Sequence, residues 1–362
     1  MLRHFVAEQS HNGHEVHVLS PDSMPALKGS SQHRWRLRRS RPWTVLPALI
    51  DLRREVRAVS PDVVHLHSFV AGFLARLPVA QALWGRDVAV VYQPHAWSFD
   101  LYKLRVFGYL LRRWEAWSST RTDVLVANCD DEVQEGREIG VHTPAQALGV
   151  AVDLTRFHPL PAGEREALRQ SLGIDGRNAV LCLGRLAHQK GQDLLLEAWE
   201  RSRPDETSLF LVGPGSSESL KPLALTQWGV TVHAVGERDD VDAWLVACDV
   251  LVLPSRYETV AIVVAEALAS GTPVVATAVN GARETVLDGP LPPGGAVVNL
   301  GDMNALVREV GKRLRDSELH GAESRAGRLR AEAQFDPVAV DARLEAAYAQ
   351  AIRLHGSQKS SG

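Results

Sequence analysis

The sequence predicts an α/β protein of two domains built on parallel sheets, and three observations carry that reading. The stretch CDVLVLPSRYETVAIVVAEALASGTPVVAT, Cys248 to Thr277, runs strand, loop, helix and strand. VLVLP is an apolar β-rich run, VAIVVAEALAS has the length and alanine content of a helix, and Gly271 with Pro273 ends it before VVAT. Such a βαβ unit belongs to a parallel sheet. Apolar strand-like runs alternate with helical periodicity along the rest of the chain, and 362 residues suffice for two domains with cores of their own.

Composition narrows the class. Hydrophobic residues at 45% and charged residues at 23% are those of a soluble globular protein. No run approaches the roughly 18 uncharged apolar residues of a spanning helix, and MLRHFVAEQSHNGHEV has no signal-peptide core, so a cytoplasmic location is expected. Cys129, Cys182 and Cys248 are widely spread in strand-like contexts and read as core residues. The net charge of −3 hides an asymmetry: residues 1–121 hold 17 Lys and Arg against 9 Asp and Glu, +8, which leaves −11 for the remainder. The positive half is a candidate for anionic lipid headgroups, a phosphorylated acceptor or nucleic acid.

Taken in order, LRHFVAEQSHNGHEVHVLSP reads as an amphipathic helix, a turn at Asn12-Gly13 and a strand. Arg34 to Trp43 interleaves five arginines with two tryptophans, which suits either a membrane surface or a solvated loop and strand whose Trp residues pack locally. A helix stopped near Pro61 leads to the strand VVHLH, which ends in His65, His67 and Ser68 at the edge where open α/β sheets bind ligands. Two alternate His without a third ligand do not predict a metal. AGFLARLPVAQALWG reads as a helix, VAVVYQPHAW as a strand ending at Pro94-His95, SFDLYKLRVFGYLLRRWEAWSSTR as one or two basic amphipathic helices, and DVLVANCDDEVQEGREIG as a strand and helix.

The second half opens with NAVLCLGRLAHQKGQDLLLEAWE, a strand into Gly184-Arg185, then Lys190-Gly191, then a helix. Arg and Lys converging on a strand-to-helix turn suit a diphosphate, and a solvated basic loop is the plainer alternative. SLFLVGPG is a strand with a turn at Gly213 to Gly215, and VTVHAVG another strand. Asp240-Val-Asp242 has the look of a metal-binding D-x-D but stands at a helix start and is read as capping. In the central stretch two carboxylates stand out. Glu258 precedes the helix and Glu266 is embedded in it among Val, Ala and Leu, eight residues or about 12 Å on at the helical rise. That is roughly the span from a sugar across a diphosphate to a ribose. The competing structural reading is that Glu258 caps the helix and Glu266 pairs with an arginine. The tail from Asn304 to Arg353 is largely helical, and the final HGSQKSSG is expected to fray.

These motifs resemble glycosyltransferase family 4, retaining enzymes of the GT-B fold. The E-x7-E segment of that family, S-x-x-E-G-F-G-x4-E-A-x-A-x-G-x-P-V-V-A, is matched at Ser255, Glu258, Glu266, Ala267, Ala269, Gly271, Pro273, Val274, Val275 and Ala276. Thr259 and Ala261 stand where the family usually has glycine, whose absence bears on how closely backbone and donor approach. G-R-x4-K-G from Gly184 resembles the family's diphosphate clamp, GVAVDLTRFHP its linker between domains, and NGARETVLDG its G-x-x-E-x-V-x-D-G helix. The family's first strand and Gly-Gly loop have no counterpart ahead of LRHFVAEQ. The expectation is a chain that binds its donor but turns it over poorly until upstream residues are restored.

The resemblance implies two Rossmann-like domains facing across a cleft: an acceptor domain over 1–155, a donor domain over 156–340, and a tail over 341–362 whose helix crosses back to the first. It implies transfer of a hexose, with retention, from a UDP- or GDP-linked sugar to a hydroxyl acceptor such as a glycolipid, a polysaccharide precursor or a small molecule. No metal and no other cofactor is implied. Arg185 and Lys190, with Gly184, would hold the diphosphate, and Val260, Ala261 and Ile262 at the helix start would offer it N–H groups. Glu266 would accept from the ribose diol, Glu258 would orient the donor sugar, and His95 would face it from the other domain. Contact with an anionic membrane at its inner face would accompany a lipid acceptor, and no nucleic acid is expected. The rival readings are a catalytically silent GT-B protein that binds nucleotide or a partner, and a sugar phosphorylase or nucleotide-sugar hydrolase on the same scaffold.

Overall fold

The computed structural model describes residues 2–21, 24–38, 41–80, 88–101, 105–174, 178–202, 204 and 206–360. The chain divides into two compact units, Met1–Ala151 with Val338–Gly362, and Val152–Pro337.

In the first unit α1 (Leu2–His11) leads to β1 (His17–Ser20), which pairs in parallel with β2 (Ser31–Arg34). There follow α2 (Val45–Val59), β3 (Val63–His67), α3 (Ser68–Ala75), β4 (Ala89–Gln93), α4 (Arg105–Ser118), β5 (Val124–Ala127), α5 (Asp130–Glu138) and β6 (Ala145–Ala147). Strands β3, β4, β5 and β6 form a parallel sheet in that order. Their alternation sets the core: Val90 and Tyr92 pack with Leu52, Leu66 and Leu111 on one face, while Ala89 and Val91 pack with Phe5 and Val126 on the other. Strand β4, paired on both sides, is fully buried, whereas β3 is only partly so. A buried ion pair, Arg76 to Glu115 at 2.7 Å, crosses this core, its Arg stacked 3.7 Å over the Tyr92 ring. The helix read over AGFLARLPVAQALWG stops at Ala75 and resumes over residues 78–80, and the remainder, residues 81–85, lies outside those described, as do Tyr102 to Leu104 of the basic helical segment.

In the second unit come α6 (Ala162–Ser171), β7 (Asn178–Leu183), α7 (Gln192–Ser202), β8 (Thr207–Val212), β9 (Val232–Gly236), α8 (Val241–Ala247), β10 (Val250–Leu253), α9 (Ile262–Ala269), β11 (Val274–Thr277), α10 (Ala282–Val286), β12 (Gly295–Val298), α11 (Met303–Arg315) and α12 (Ser317–Gln334). All six strands are parallel, in the spatial order β12-β11-β10-β7-β8-β9. Chain order reverses between β7 and β10, which makes that gap the topological switch point of a doubly wound sheet. Fully buried Arg330 of α12 donates to the carbonyls of Glu284, Thr285, Asp288, Leu291 and Pro292.

The last helix, α13 (Pro337–Ser360), belongs to the first unit from Val338 onward and buries Val340, Leu344, Ala347 and Ala351 on its sheet. Here the structure corrects the sequence reading, since HGSQKS continues the helix as far as Ser360. No proline interrupts the segment, and a single glycine at 356 costs only about 1 kcal/mol of helix propensity. Among the described residues no helix is long and apolar enough to cross a membrane.

Candidate functional site

The carboxyl ends of β7 and β10 deliver the two loops that carry the candidate residues. Gly184 and Arg185 follow β7 directly, and a short 3-10 turn, His188–Lys190, closes on Gly191 ahead of α7. Two glycines let this loop lie against its neighbours. A Cβ at Gly191, whose φ is 68°, would meet the Pro254 carbonyl at 2.1 Å, and one at Gly213 would meet the Gly184 carbonyl at 2.2 Å. Gly213-Pro214-Gly215 is therefore more than a turn, because it seats the β8 loop against the start of the β7 loop.

Lys190 Nζ meets Glu258 Oε1 at 2.7 Å, Ser255 Oγ donates to the same oxygen at 2.7 Å, and Gln189 Nε2 donates to the Tyr257 carbonyl at 3.1 Å. Arg256 grips Asp193 through both terminal nitrogens at 2.7 Å and the His188 carbonyl at 2.7 Å. The clamp loop and the β10 loop thus form one hydrogen-bonded body. Arg185 is exposed, and its guanidinium meets no carboxylate among the described residues.

Helix α9 starts at Ile262, with Ala261 in an extended conformation at its N-cap and no side-chain cap. The structural alternative for Glu258, capping, is thereby overturned, since its carboxylate turns to Lys190 and Ser255. The 12 Å helical spacing is corrected as well, because half of the interval from Glu258 to Glu266 is loop. β-Branched Thr259 and Val260 resist the helix, and the pull of Lys190 on Glu258 keeps the loop extended. Neither Thr259 nor Ala261 takes a positive φ, so neither backbone position demands the glycine it lacks. With no side-chain cap at Ala261, the start of α9 is a helix terminus of the kind whose dipole favours an anion.

Glu266 lies one turn into α9 and is half-buried, and Ile262 on the same helix is exposed. Its carboxylate has no hydrogen bond or ion pair among the described residues. Burial raises its pKa, Arg156 opposes that and Asp242 adds to it. Arg156 is itself held by Asp242 at 2.5 Å, so the pairing with an arginine that would make Glu266 structural is not formed. Asp240 and Asp242 do not cap α8. Asp240 pairs with Arg238 at 2.6 Å and Asp242 with Arg156, each drawn to a cation in preference to a neutral N–H.

In the first unit His95 sits just past β4 with a φ of 59°, a left-handed conformation that costs a side-chain-bearing residue energy. Its Nε2 lies 2.9 Å from His67 Nδ1, the His65 and His67 rings lie tilted at 31° with centroids 3.9 Å apart, and His65 Nδ1 meets the Tyr348 hydroxyl of α13 at 2.9 Å. The third histidine absent from the local sequence is thus His95, yet the rings bond to one another and do not converge on a shared centre. Among the described residues no group of three His, Cys, Asp or Glu is arranged to hold a metal. Burial holds all three below the usual histidine range: His65 falls to about 3, His67 lies well below, and at His95 a hydrogen bond with Asn128 works the other way.

Because folding lowers the His65 pKa to about 3, its contribution to stability is full above about pH 6.5 and is lost as pH falls from there toward 3, at about 1.4 kcal/mol per pH unit. His65→Gln is expected to flatten the fall in melting temperature between pH 7 and 5, checked by calorimetry across that range; parallel curves for parent and variant would exclude the linkage.

The basic segment Arg34 to Trp43 is committed to the fold only in part, since Arg34, Arg38 and Arg41 are exposed. Trp35 Nε1 donates to the Ala48 carbonyl at 3.0 Å, Arg36 is paired with buried Asp51 at 2.7 Å, and Trp43 alone of the two tryptophans is exposed. Arg39 and Ser40 fall outside the described residues. Cys129, Cys182 and Cys248 are free and buried, and burial pushes the Cys182 thiol up to about 12.

A doubly wound parallel sheet with two cations and an unpaired carboxylate at its switch point defines a nucleotide-binding class of α/β protein. The profile described as "Glycosyltransferase Family 4" matches residues 1–156, and that described as "Glycosyl transferases group 1" matches residues 177–316. A GDP-mannose-dependent alpha-mannosyltransferase of Mycolicibacterium smegmatis is 30% identical over 76% of this chain and 74% of its own. From the same organism, a GDP-mannose-dependent alpha-(1-6)-phosphatidylinositol monomannoside mannosyltransferase is 37% identical, the match spanning about half of either chain, 52%. The sucrose-phosphate synthase of Thermosynechococcus elongatus superposes with a TM-score of 0.80 at 21% identity, covering 96% of this chain and 92% of that one. The chain belongs to glycosyltransferase family 4 and has the GT-B fold.

Proposed function

We propose that the protein transfers a hexose, with retention of configuration, from a UDP- or GDP-linked sugar to a hydroxyl acceptor. The observation that carries this is the joining of the Arg185–Lys190 loop to the Glu258 loop at the switch point, with a half-buried Glu266 that has no partner of its own on the helix that follows. A nucleoside diphosphate satisfies Arg185, Lys190 and Glu266 at once: its phosphates take the cations and the helix N-terminus, and its ribose hydroxyls donate to Glu266. Lys190 and Arg185 then neutralise the departing diphosphate, the task a divalent cation would otherwise perform. Glu258, steered by Lys190 and Ser255, is assigned to orient the sugar, and His95 to the transfer step. Relatives that use GDP-mannose, one of them on a phosphatidylinositol mannoside, put GDP-mannose and a glycolipid acceptor first in the panel to be tried.

The test is a thermal-shift panel of UDP-, GDP- and ADP-sugars followed by transfer of label to a lipid extract. A selective shift with label reaching the extract supports the proposal, and a shift with label released only to water overturns transfer in favour of hydrolysis. Glu266→Gln is expected to keep the fold and lose about 1.5 to 3 kcal/mol of nucleoside diphosphate affinity, the worth of a hydrogen bond to a charged group. Calorimetry with ribose and 2'-deoxyribose ligands checks it: the parent should discriminate between them and the variant should do so less.

A further inference from the structure

Helix α4 is apolar on two opposite sides. Its inner side buries Leu111 in the sheet core and carries Glu115 to Arg76. On the outer side Val106, Leu110 and Trp117 recur at i, i+4 and i+11, with Tyr109 beside them, and Val106 is 76% and Tyr109 60% exposed. A helix face turned to water is normally polar, and a stripe of this size marks an interaction surface. The charges set among these residues have one sign. Arg113 completes the stripe at i+7, exposed Arg112 lies 4.3 Å from the Phe99 ring, and the Arg121 guanidinium sits 3.7 Å over Trp117. The one carboxylate between residues 105 and 121, Glu115, is buried on the inner side.

We propose that the outer face of α4 docks the protein on an anionic lipid bilayer, with Val106, Leu110 and Trp117 entering the headgroup boundary and the arginines meeting phosphates. Large aromatic and aliphatic side chains flanked by Arg, with no acid among them, match the chemistry of that boundary. A second copy fits less well, because a two-fold contact would set this arginine-bearing stripe against its own image. The inference adds α4 to Arg34–Trp43 as a lipid-facing surface; in that segment Trp35 and Arg36 are already bonded to Ala48 and Asp51. It stands apart from the transfer reaction, since binding to lipid is read with neither donor nor acceptor present.

The experiment is sedimentation of the full chain with vesicles of phosphatidylcholine, alone or mixed with phosphatidylglycerol, at low and high salt. The parent is expected to sediment with the acidic vesicles and to be only partly released by salt, because the apolar part of the contact is not screened. Leu110→Gln with Trp117→Gln is expected to lower the bound fraction about tenfold or more, while Leu225→Gln, at a still more exposed apolar position in the other unit, leaves it unchanged. Arg113→Glu should weaken binding to the acidic vesicles alone. All of these positions are exposed, so melting temperatures should stay with the parent. Sedimentation that ignores acidic lipid, or a Leu110→Gln/Trp117→Gln variant that binds like the parent, overturns the proposal. So does a concentration-dependent dimer in lipid-free buffer that this variant abolishes while vesicle binding persists.

Discussion

Lys190→Ala is expected to lower turnover of the nucleotide sugar by about 10²- to 10³-fold, the usual cost of removing one fixed group that stabilises charge developing in the transition state. The charge grows on the diphosphate as the sugar leaves, and Lys190 is placed by a turn it cannot leave: Gly191 beneath it is pressed on the Pro254 carbonyl, and its own N–H donates to Ala187 at 2.8 Å. Ground-state affinity for the nucleoside diphosphate should fall by less, about 1.5 to 3 kcal/mol. Without ligand, Lys190 is held by Glu258, whose side chain is only 6% exposed, so its removal also leaves that carboxylate with Ser255 and Gln189 as donors. Glu258→Gln separates the two roles. If Lys190 only supports Glu258, both variants lose turnover alike and keep diphosphate affinity; if Lys190 is the clamp, Glu258→Gln binds the diphosphate at least as well as the parent. Calorimetry with the diphosphate and steady-state turnover on the two folded variants decide between them.

What the sequence disclosed of this site, it disclosed locally. Cys248 to Thr277 could be read as strand, loop, helix and strand because apolar runs, alanine content and the Gly271-Pro273 stop act over a few residues. G-R-x4-K-G was legible as a cation pair at a helix start because the turn that makes it is eight residues long. What stayed hidden depends on partners far apart in the chain. Lys190 and Glu258 are 68 residues apart and Arg156 and Asp242 are 86, and no periodicity predicts such pairs. The meeting of His67 with His95 follows from β3 and β4 lying side by side in register, His67 opposite Gln93, which is a property of the sheet. The outer stripe of α4 was written in the sequence as a basic amphipathic helix. Which apolar residues faced inward, however, depended on where Glu115 found Arg76.

Arg330 is the residue the sequence concealed most completely, a single arginine in a helix rich in Ala, Glu and Arg, and its replacement is expected to be the costliest change in the second unit. The carbonyls it binds are those that α10, five residues long, leaves open at its C-terminal end, together with Leu291 and Pro292 of the loop that follows. Burial lowers its pKa, and the Asp288 carboxylate opposes that shift. The guanidinium fork suits this cluster because its five N–H donors are fixed in a plane, whereas a lysine offers three from one point. Arg330→Met keeps the length and apolar stem but leaves carbonyls without donors, and losing the equivalent of two charge-assisted bonds would cost about 3 to 6 kcal/mol. In a unit of this size that is a fall in melting temperature of about 10 °C or more. Arg330→Lys should recover part of it. Calorimetry of the three proteins, with hydrogen exchange over residues 281–294, locates the loss. If the Met variant melts with the parent and those amides stay protected, the segment is held by its own turns and by the packing of Val286 beneath it, and Arg330 merely fills space.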